Sequence, residues 1–227
     1  MSEKLLEAVE IATGDKPAAS VIWMHGLGAD GNDFVPIVHE LDLEGAPAIR
    51  FVFPHAPMQP VTINNGYVMR AWYDIKFGDL EGRSKQADEN GVRASQAAVV
   101  KLVEREVTRG IAVENIVLAG FSQGGAIALQ TGLRYAQNLA GIMALSTYLP
   151  LAEQLTNEAT AENRSTSIFM AHGVQDPVVP YAMAARSREI LVEHGYDVEW
   201  HEYRMPHSVC LEEIRDIGVW LKRVLAH

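Results

Sequence analysis

Apolar residues fall along this chain in two rhythms. Six short runs are apolar at nearly every position and end at turns rich in Gly or Pro, which predicts fully buried strands over Ser20–His25, Ile49–Pro54, Asn115–Gly120, Gly141–Ser146, Ser167–His172 and Val198–Tyr203. Between them, apolar positions recur three and four apart, which predicts helices over Gly91–Thr108, Gln123–Tyr135, Tyr181–His194 and Leu211–Leu225. Strands with no polar face, alternating with helices that have one, predict an α/β domain spanning residues 1–227, its mostly parallel central sheet covered by helices on both faces. No repeat, low-complexity tract or Pro- and Ser-rich linker divides it.

The longest stretch without either rhythm is Pro54–Asn90. Irregular segments of that length in compact domains usually carry function or minor structure of their own. Met58, Met69, Trp72, Tyr73 and Phe77 lie in it and are candidates to line a substrate pocket. The competing reading is that they cover the sheet as core.

Composition narrows the function. With 227 residues, 48% of them hydrophobic, the chain can bury a full core. A formal net charge of −10 argues against nucleic acid as a partner. One cysteine, Cys210, excludes a disulfide framework and a Cys-rich metal site. No basic-then-apolar leader and no run of roughly 20 apolar residues is present, so the expectation is a cytoplasmic protein without stable membrane insertion. The glycosylation sequon at Asn163 reads as chance on that ground.

The strongest local signal is Gly120-Phe121-Ser122-Gln123-Gly124, a G-x-S-x-G motif directly after one predicted strand and directly before a predicted helix. In a nucleophile elbow the serine occupies a tight strand-to-helix turn, and glycines two positions either side let backbone approach without Cβ clashes. The context predicts the α/β-hydrolase fold, and a chain of 227 residues leaves little room for a separate lid domain, so none is expected. That fold orders its catalytic residues Ser, then Asp or Glu, then His, in loops beyond the carboxyl ends of the strands. Asp176 and His207 satisfy both conditions. Asp197 precedes its strand, His194 closes a helix and His201 lies within a strand. His172 is at the correct end but precedes Asp176, and reads as a loop-ordering group.

The three residue types divide one task. Histidine takes the serine proton during attack and returns it to the leaving group, while the carboxylate fixes the imidazole tautomer. The oxyanion needs backbone donors, for which the N–H groups of Gln123 and Leu27 are the candidates, the latter in the loop after the first buried strand. That loop, Gly26-Leu27-Gly28-Ala29-Asp30-Gly31, also matches the dinucleotide fingerprint G-x-G-x-x-G. The strand that follows ends at Phe53-Pro54-His55 without the acidic residue that would hold a ribose, which disfavours a nucleotide.

On these motifs the chain resembles the carboxylesterase and acyl-protein thioesterase family of the α/β-hydrolase superfamily. The resemblance rests on His25–Gly31, Ala71–Ile75, Gly120–Gly125, Leu149-Pro150, His172-Gly173 with Asp176–Pro180, and His207-Ser208-Val209, in the family's order. It implies catalytic Ser122, Asp176 and His207, oxyanion amides from Leu27 and Gln123, and neither metal nor organic cofactor. The wording of Gly28–Asp33 and Asn64–Ile75 looks like the bacterial carboxylesterase branch. The leading expectation is hydrolysis of small to medium carboxylic esters. Action on S-acylated proteins, lysophospholipids or thioester metabolites is the alternative. A homodimer is the base-rate expectation for assembly.

Overall fold

The computed structural model describes residues 5–76, 78 and 88–226, so Phe77 lies outside the described residues. Seven strands form the central sheet: β1 (Ala8–Ala12), β2 (Ala19–Met24), β3 (Ile49–Pro54), β6 (Ile116–Phe121), β7 (Gly141–Leu145), β8 (Ser167–Gly173) and β9 (Val198–Tyr203). Their order is β1-β3-β2-β6-β7-β8-β9, with β1 antiparallel to β3 and every other pair parallel. A separate antiparallel hairpin joins β4 (Met58–Val61) to β5 (Tyr67–Arg70).

Alternate side chains of each strand enter opposite layers. Ile22 and Met24 of β2 pack with Val92, Val99 and Leu102 of α2 (Glu89–Thr108), with α3 (Gln123–Gly132) and with Leu191 of α5 (Tyr181–Glu193). Val21 and Trp23 face the other way, with Ile37 of α1 (Ile37–Glu40) and Ile217, Trp220 and Leu221 of α6 (Leu211–Val224). The remaining helix, α4 (Leu155–Glu158), buries Leu155 against the first of these layers. The mostly parallel sheet with helices on both faces is therefore the architecture of this chain.

Several local features refine the pattern reading. The edge strand β1, Ala-Val-Glu-Ile-Ala, is only half-buried and shows no continuous apolar run. The Pro54–Asn90 stretch contains the β4–β5 hairpin, where Pro60 weakens the strand signal but Asn65 and Gly66, both at positive φ, make its turn. Helix α3 ends at Gly132 rather than Tyr135, and the bare backbone of Gly132 lets it pack closely on Ile142, which an added Cβ would meet at 2.5 Å. Asn163 is wholly buried, and its side-chain amide donates to the carbonyls of Tyr135 and Gln137, so the sequon is a structural bracket. Among the described residues no helix is long and apolar enough to cross a membrane.

One buried acid makes stability depend on pH. Glu213, on the first turn of α6, is fully buried, and burial pushes its carboxyl up to about 8 from 4.5, against the lowering effect of the Cys210 N–H. Between those values the unfolded chain releases a proton that the folded chain retains, so stability falls as pH rises, by at most about 1.4 kcal/mol per pH unit. Thermal unfolding of the native chain and of Glu213→Gln, followed from pH 5 to pH 8, should show the difference shifting steadily in favour of the variant. A pH-independent difference would contradict this account of Glu213.

Candidate active site

Because β2, β6, β8 and β9 run parallel, the loops at their carboxyl ends emerge on one edge of the sheet. They carry His25–Gly28, Ser122, Asp176 and His207, and the glycines explain how the loops come so close. A Cβ on Gly124 would lie 2.2 Å from the Met24 carbonyl oxygen, and one on Gly120 would lie 2.2 Å from the Gly124 carbonyl carbon. Ser122 itself takes φ 54° and ψ −120°, with its N–H bonded to the Leu145 carbonyl at 2.8 Å. On the far side, a Cβ on Gly173 would meet the carbonyl oxygens of Met205 and Pro206 at 2.4 and 2.6 Å. The bare backbone there lets the loop after β9 lie against the loop after β8, joined by Val174 N–H to Tyr203 O at 2.9 Å.

That approach brings three side chains into line. The Ser122 hydroxyl donates to His207 Nε2 at 2.9 Å, and His207 Nδ1–H donates to Asp176 Oδ2 at 2.6 Å. The other Asp176 oxygen accepts the N–H groups of Val178 and Val179 at 2.8 and 2.9 Å, so the carboxylate is buried yet satisfied. The Phe121 ring lies 4.7 Å from the imidazole and backs it with an apolar wall. An alcohol so placed can pass its proton to the imidazole as it attacks an acyl carbon.

The other histidines have different engagements. His172 is buried and donates Nε2–H to Val179 O at 3.0 Å, bracing the loop that carries Asp176, and burial lowers its pKa. His194 bonds Ile190 O, and His201 bonds Glu199.

Leu27 follows Gly26, where an added Cβ would stand 3.5 Å from the Ser122 Cβ, and Gln123 follows Ser122 as the first residue of α3. Among the turn and loop hydrogen bonds of the described residues, neither the Leu27 nor the Gln123 N–H donates to a backbone carbonyl. His25 anchors the first loop: its Nδ1–H donates to Gly26 O at 2.7 Å, and its Nε2 accepts the Ala56 N–H at 3.1 Å. Burial lowers its pKa, which favours the neutral ring this arrangement needs.

Trp72, a pocket candidate on sequence grounds, is 1% exposed and lies beneath the site. Its indole N–H donates to His25 O at 2.9 Å, its backbone N–H donates to Gln123 Oε1 at 2.7 Å, and Gln123 Nε2 donates to Tyr73 O at 2.7 Å. The loop bearing Leu27 and the elbow bearing Gln123 are thus tied through one tryptophan, a connection that sequence spacing does not reveal. Tyr73 is also buried, its hydroxyl bonded to that of Tyr148 at 2.8 Å. Met69 is half-buried, with its sulfur against Gly28 and accepting from Asn64. Met58 is exposed.

The glycine fingerprint of this loop leads into turns and the four-residue α1, which offers no long helix N-terminus for a pyrophosphate. Among the described residues no group of three or more His, Cys, Asp or Glu side chains is arranged to hold a metal ion.

Trp72→Phe removes one hydrogen bond and three buried ring atoms. It should lower kcat on a chromogenic ester about 10-fold, a fraction of the loss typical of deleting an oxyanion donor, with a stability cost of about 2–3 kcal/mol from the lost bond and the cavity together. Steady-state kinetics beside thermal unfolding check this, and an unchanged kcat would show that the tie does not matter to the site.

The chain is similar to known proteins along nearly its whole length. Residues 6–225 match the phospholipase/carboxylesterase family. Acyl-protein thioesterase 1 of Cryptococcus neoformans is 36% identical, covering 97% of this chain and 98% of its own, and its Neurospora crassa namesake is 42% identical over 89% and 85%. A probable carboxylesterase of Oryza sativa is 33% identical over 99% and 85%. Among solved structures, Arabidopsis thaliana SOBER1 superposes with a TM-score of 0.82 at 31% identity, over 91% of this chain and 99% of that one. These relatives are fungal and plant proteins. The Bacillus cereus carboxylesterase, at 18% identity, shares the fold alone, so the bacterial branch suggested by the loop wording is not supported. On the matched span and these identities, the chain belongs to the phospholipase/carboxylesterase family of α/β-hydrolases, enzymes that act on ester bonds.

Proposed function

We propose that this chain hydrolyses acyl thioesters, and oxygen esters beside them, through a covalent acyl-enzyme in which Ser122 is the nucleophile, His207 the general base and Asp176 the group that holds the base. The observation that carries the reading is the unbroken hydrogen-bonded chain Asp176–His207–Ser122, with links of 2.6 and 2.9 Å.

In this reading, Ser122 Oγ attacks the acyl carbon while its proton moves to His207 Nε2, and the former carbonyl oxygen gains the negative charge. The N–H groups of Leu27 and Gln123 stabilise that oxygen. His207 then returns the proton to the departing sulfur or oxygen, leaving Ser122 acylated. A water molecule, deprotonated by the same imidazole, attacks the acyl-serine and releases the carboxylic acid. Asp176 stays ionised throughout and stabilises the imidazolium.

Thioesters come first because the relatives at 36% and 42% identity are named acyl-protein thioesterase 1. Oxygen esters, the first expectation from sequence, stay in the proposal because the rice relative is named a probable carboxylesterase and the same machinery serves both bonds. The half-buried Leu27, next to the Gly26 that approaches Ser122, and Met69, whose sulfur lies against Gly28, are the proposed first contacts of the acyl chain. No cofactor enters the proposal.

The test compares an S-acyl and an O-acyl substrate of equal chain length on the purified chain and on Ser122→Ala. The native chain should cleave both, with kcat/KM for the thioester at least equal to that for the ester. The variant should lose at least about 10³-fold on each. Turnover retained by Ser122→Ala would overturn the nucleophile assignment, and strict preference for the oxygen ester would overturn the thioesterase reading.

A further inference from the structure

Thr147 lies two residues beyond the end of β7, is 1% exposed and has no place in the machinery described above. Its hydroxyl donates to the carbonyl oxygen of Ser122 at 2.6 Å. The same carbonyl accepts the Ala126 N–H at 3.1 Å, the first backbone bond of α3, so it has two donors. That carbonyl belongs to the peptide unit whose other end is the Gln123 N–H. In a planar trans peptide the C=O and N–H point in opposite directions, so a donor that fixes the oxygen also aims the hydrogen. A hydrogen bond to the oxygen further polarises the unit and strengthens its N–H as a donor.

The surroundings hold the Thr147 side chain to this task. Ser146, immediately before it, is held at φ 46° with its N–H bonded to Ala171 O at 2.8 Å. The Thr147 methyl fills the space beside Gly125, where an added Cβ would come within 2.8 Å of it. Methyl on one side and hydroxyl on the other select one rotamer. Ser122 itself, at φ 54° and ψ −120°, is in a region strained for a non-glycine residue, and ψ is the angle that orients the 122–123 peptide.

We infer that Thr147 is a positioning residue for catalysis: through the Ser122 carbonyl it orients and strengthens the Gln123 N–H as the oxyanion donor. This rests on the proposed roles of Ser122 and the Gln123 amide. It adds that a side chain from the loop after the neighbouring strand sets the strength of that amide.

The test uses the full chain with Thr147→Val, which keeps the shape and removes the hydroxyl, and Thr147→Ser, which keeps the hydroxyl. On p-nitrophenyl butyrate, Thr147→Val should lower kcat about 10-fold with KM within about twofold, a partial form of the loss seen when an oxyanion donor is deleted. Affinity for an alkyl trifluoromethyl ketone, whose serine adduct carries an oxyanion, should fall by the same factor. Inhibition by the product carboxylate should not change, and Thr147→Ser, which keeps the hydroxyl but loses the methyl that helps to aim it, should retain most of the native kcat. Should Thr147→Val fail to fold, Thr147→Ala against Thr147→Ser isolates the hydroxyl alone, with the same split expected. The inference is overturned if the hydroxyl-free variant keeps native kcat, if product and ketone binding weaken together, or if Thr147→Ser is as impaired as the variant lacking the hydroxyl. Ser122→Ala on the same ester separates the two levels: inactive beside a silent Thr147→Val, it removes this inference alone, whereas an active Ser122→Ala removes the reading beneath it.

Discussion

Ser122 is held at a backbone conformation that a serine would not choose, and much of the surrounding structure exists to keep it there. The Leu145 carbonyl takes its N–H, the Ala126 N–H and the Thr147 hydroxyl take its carbonyl, and Gly120 and Gly124 leave room for backbone to pass within contact distance on both sides. A conformation costing of order 1–3 kcal/mol persists because the neighbours over-determine it. In return, the hydroxyl stands at the sheet edge with the N-terminus of the buried helix α3 directly behind it.

The remainder of the site is joined to that elbow by short polar links rather than by covalent staples. Asp176 and His207 sit on loops after adjacent strands, drawn together where Gly173 lets backbone touch backbone. The loop of Leu27 is held from below by Trp72 and from the side by His25, whose burial keeps the imidazole in the neutral form that accepts from Ala56. Each of these polar groups is partnered inside a low-dielectric region, where an unpartnered one would be costly. The site is therefore preorganised, which electrostatic stabilisation of a transition state requires.

What could be read from the chain follows from how local each signal is. Ile116-Val117-Leu118-Ala119 followed by Gly-Phe-Ser-Gln-Gly carries strand, turn and helix within one short window, so the elbow was legible. Asp176 and His207 were legible because each follows a buried strand, and strand ends in a parallel sheet gather at one edge. Strand β1 was not, because an edge strand needs to bury only part of itself and its five residues include Glu10. The hairpin was half visible: Asn65-Gly66 is a turn signal, but Pro60 argues against a strand on one side of it. The links made by Trp72 and Thr147 were invisible, because they join residues 47 and 25 positions apart through single side-chain bonds that no periodicity encodes. Aromatic residues in an irregular stretch looked equally suited to a pocket or a core, and burial puts Trp72 and Tyr73 in the core.

The central claim is that one hydroxyl, activated by one imidazole, is the reacting group. Labelling the native chain with a fluorophosphonate and locating the adduct by intact mass and peptide mapping tests it most directly. A single adduct on Ser122 is expected, formed at a rate that His207→Ala slows by at least about 100-fold, the contribution typical of a general base. An adduct on any other residue, or a labelling rate indifferent to His207, would contradict it.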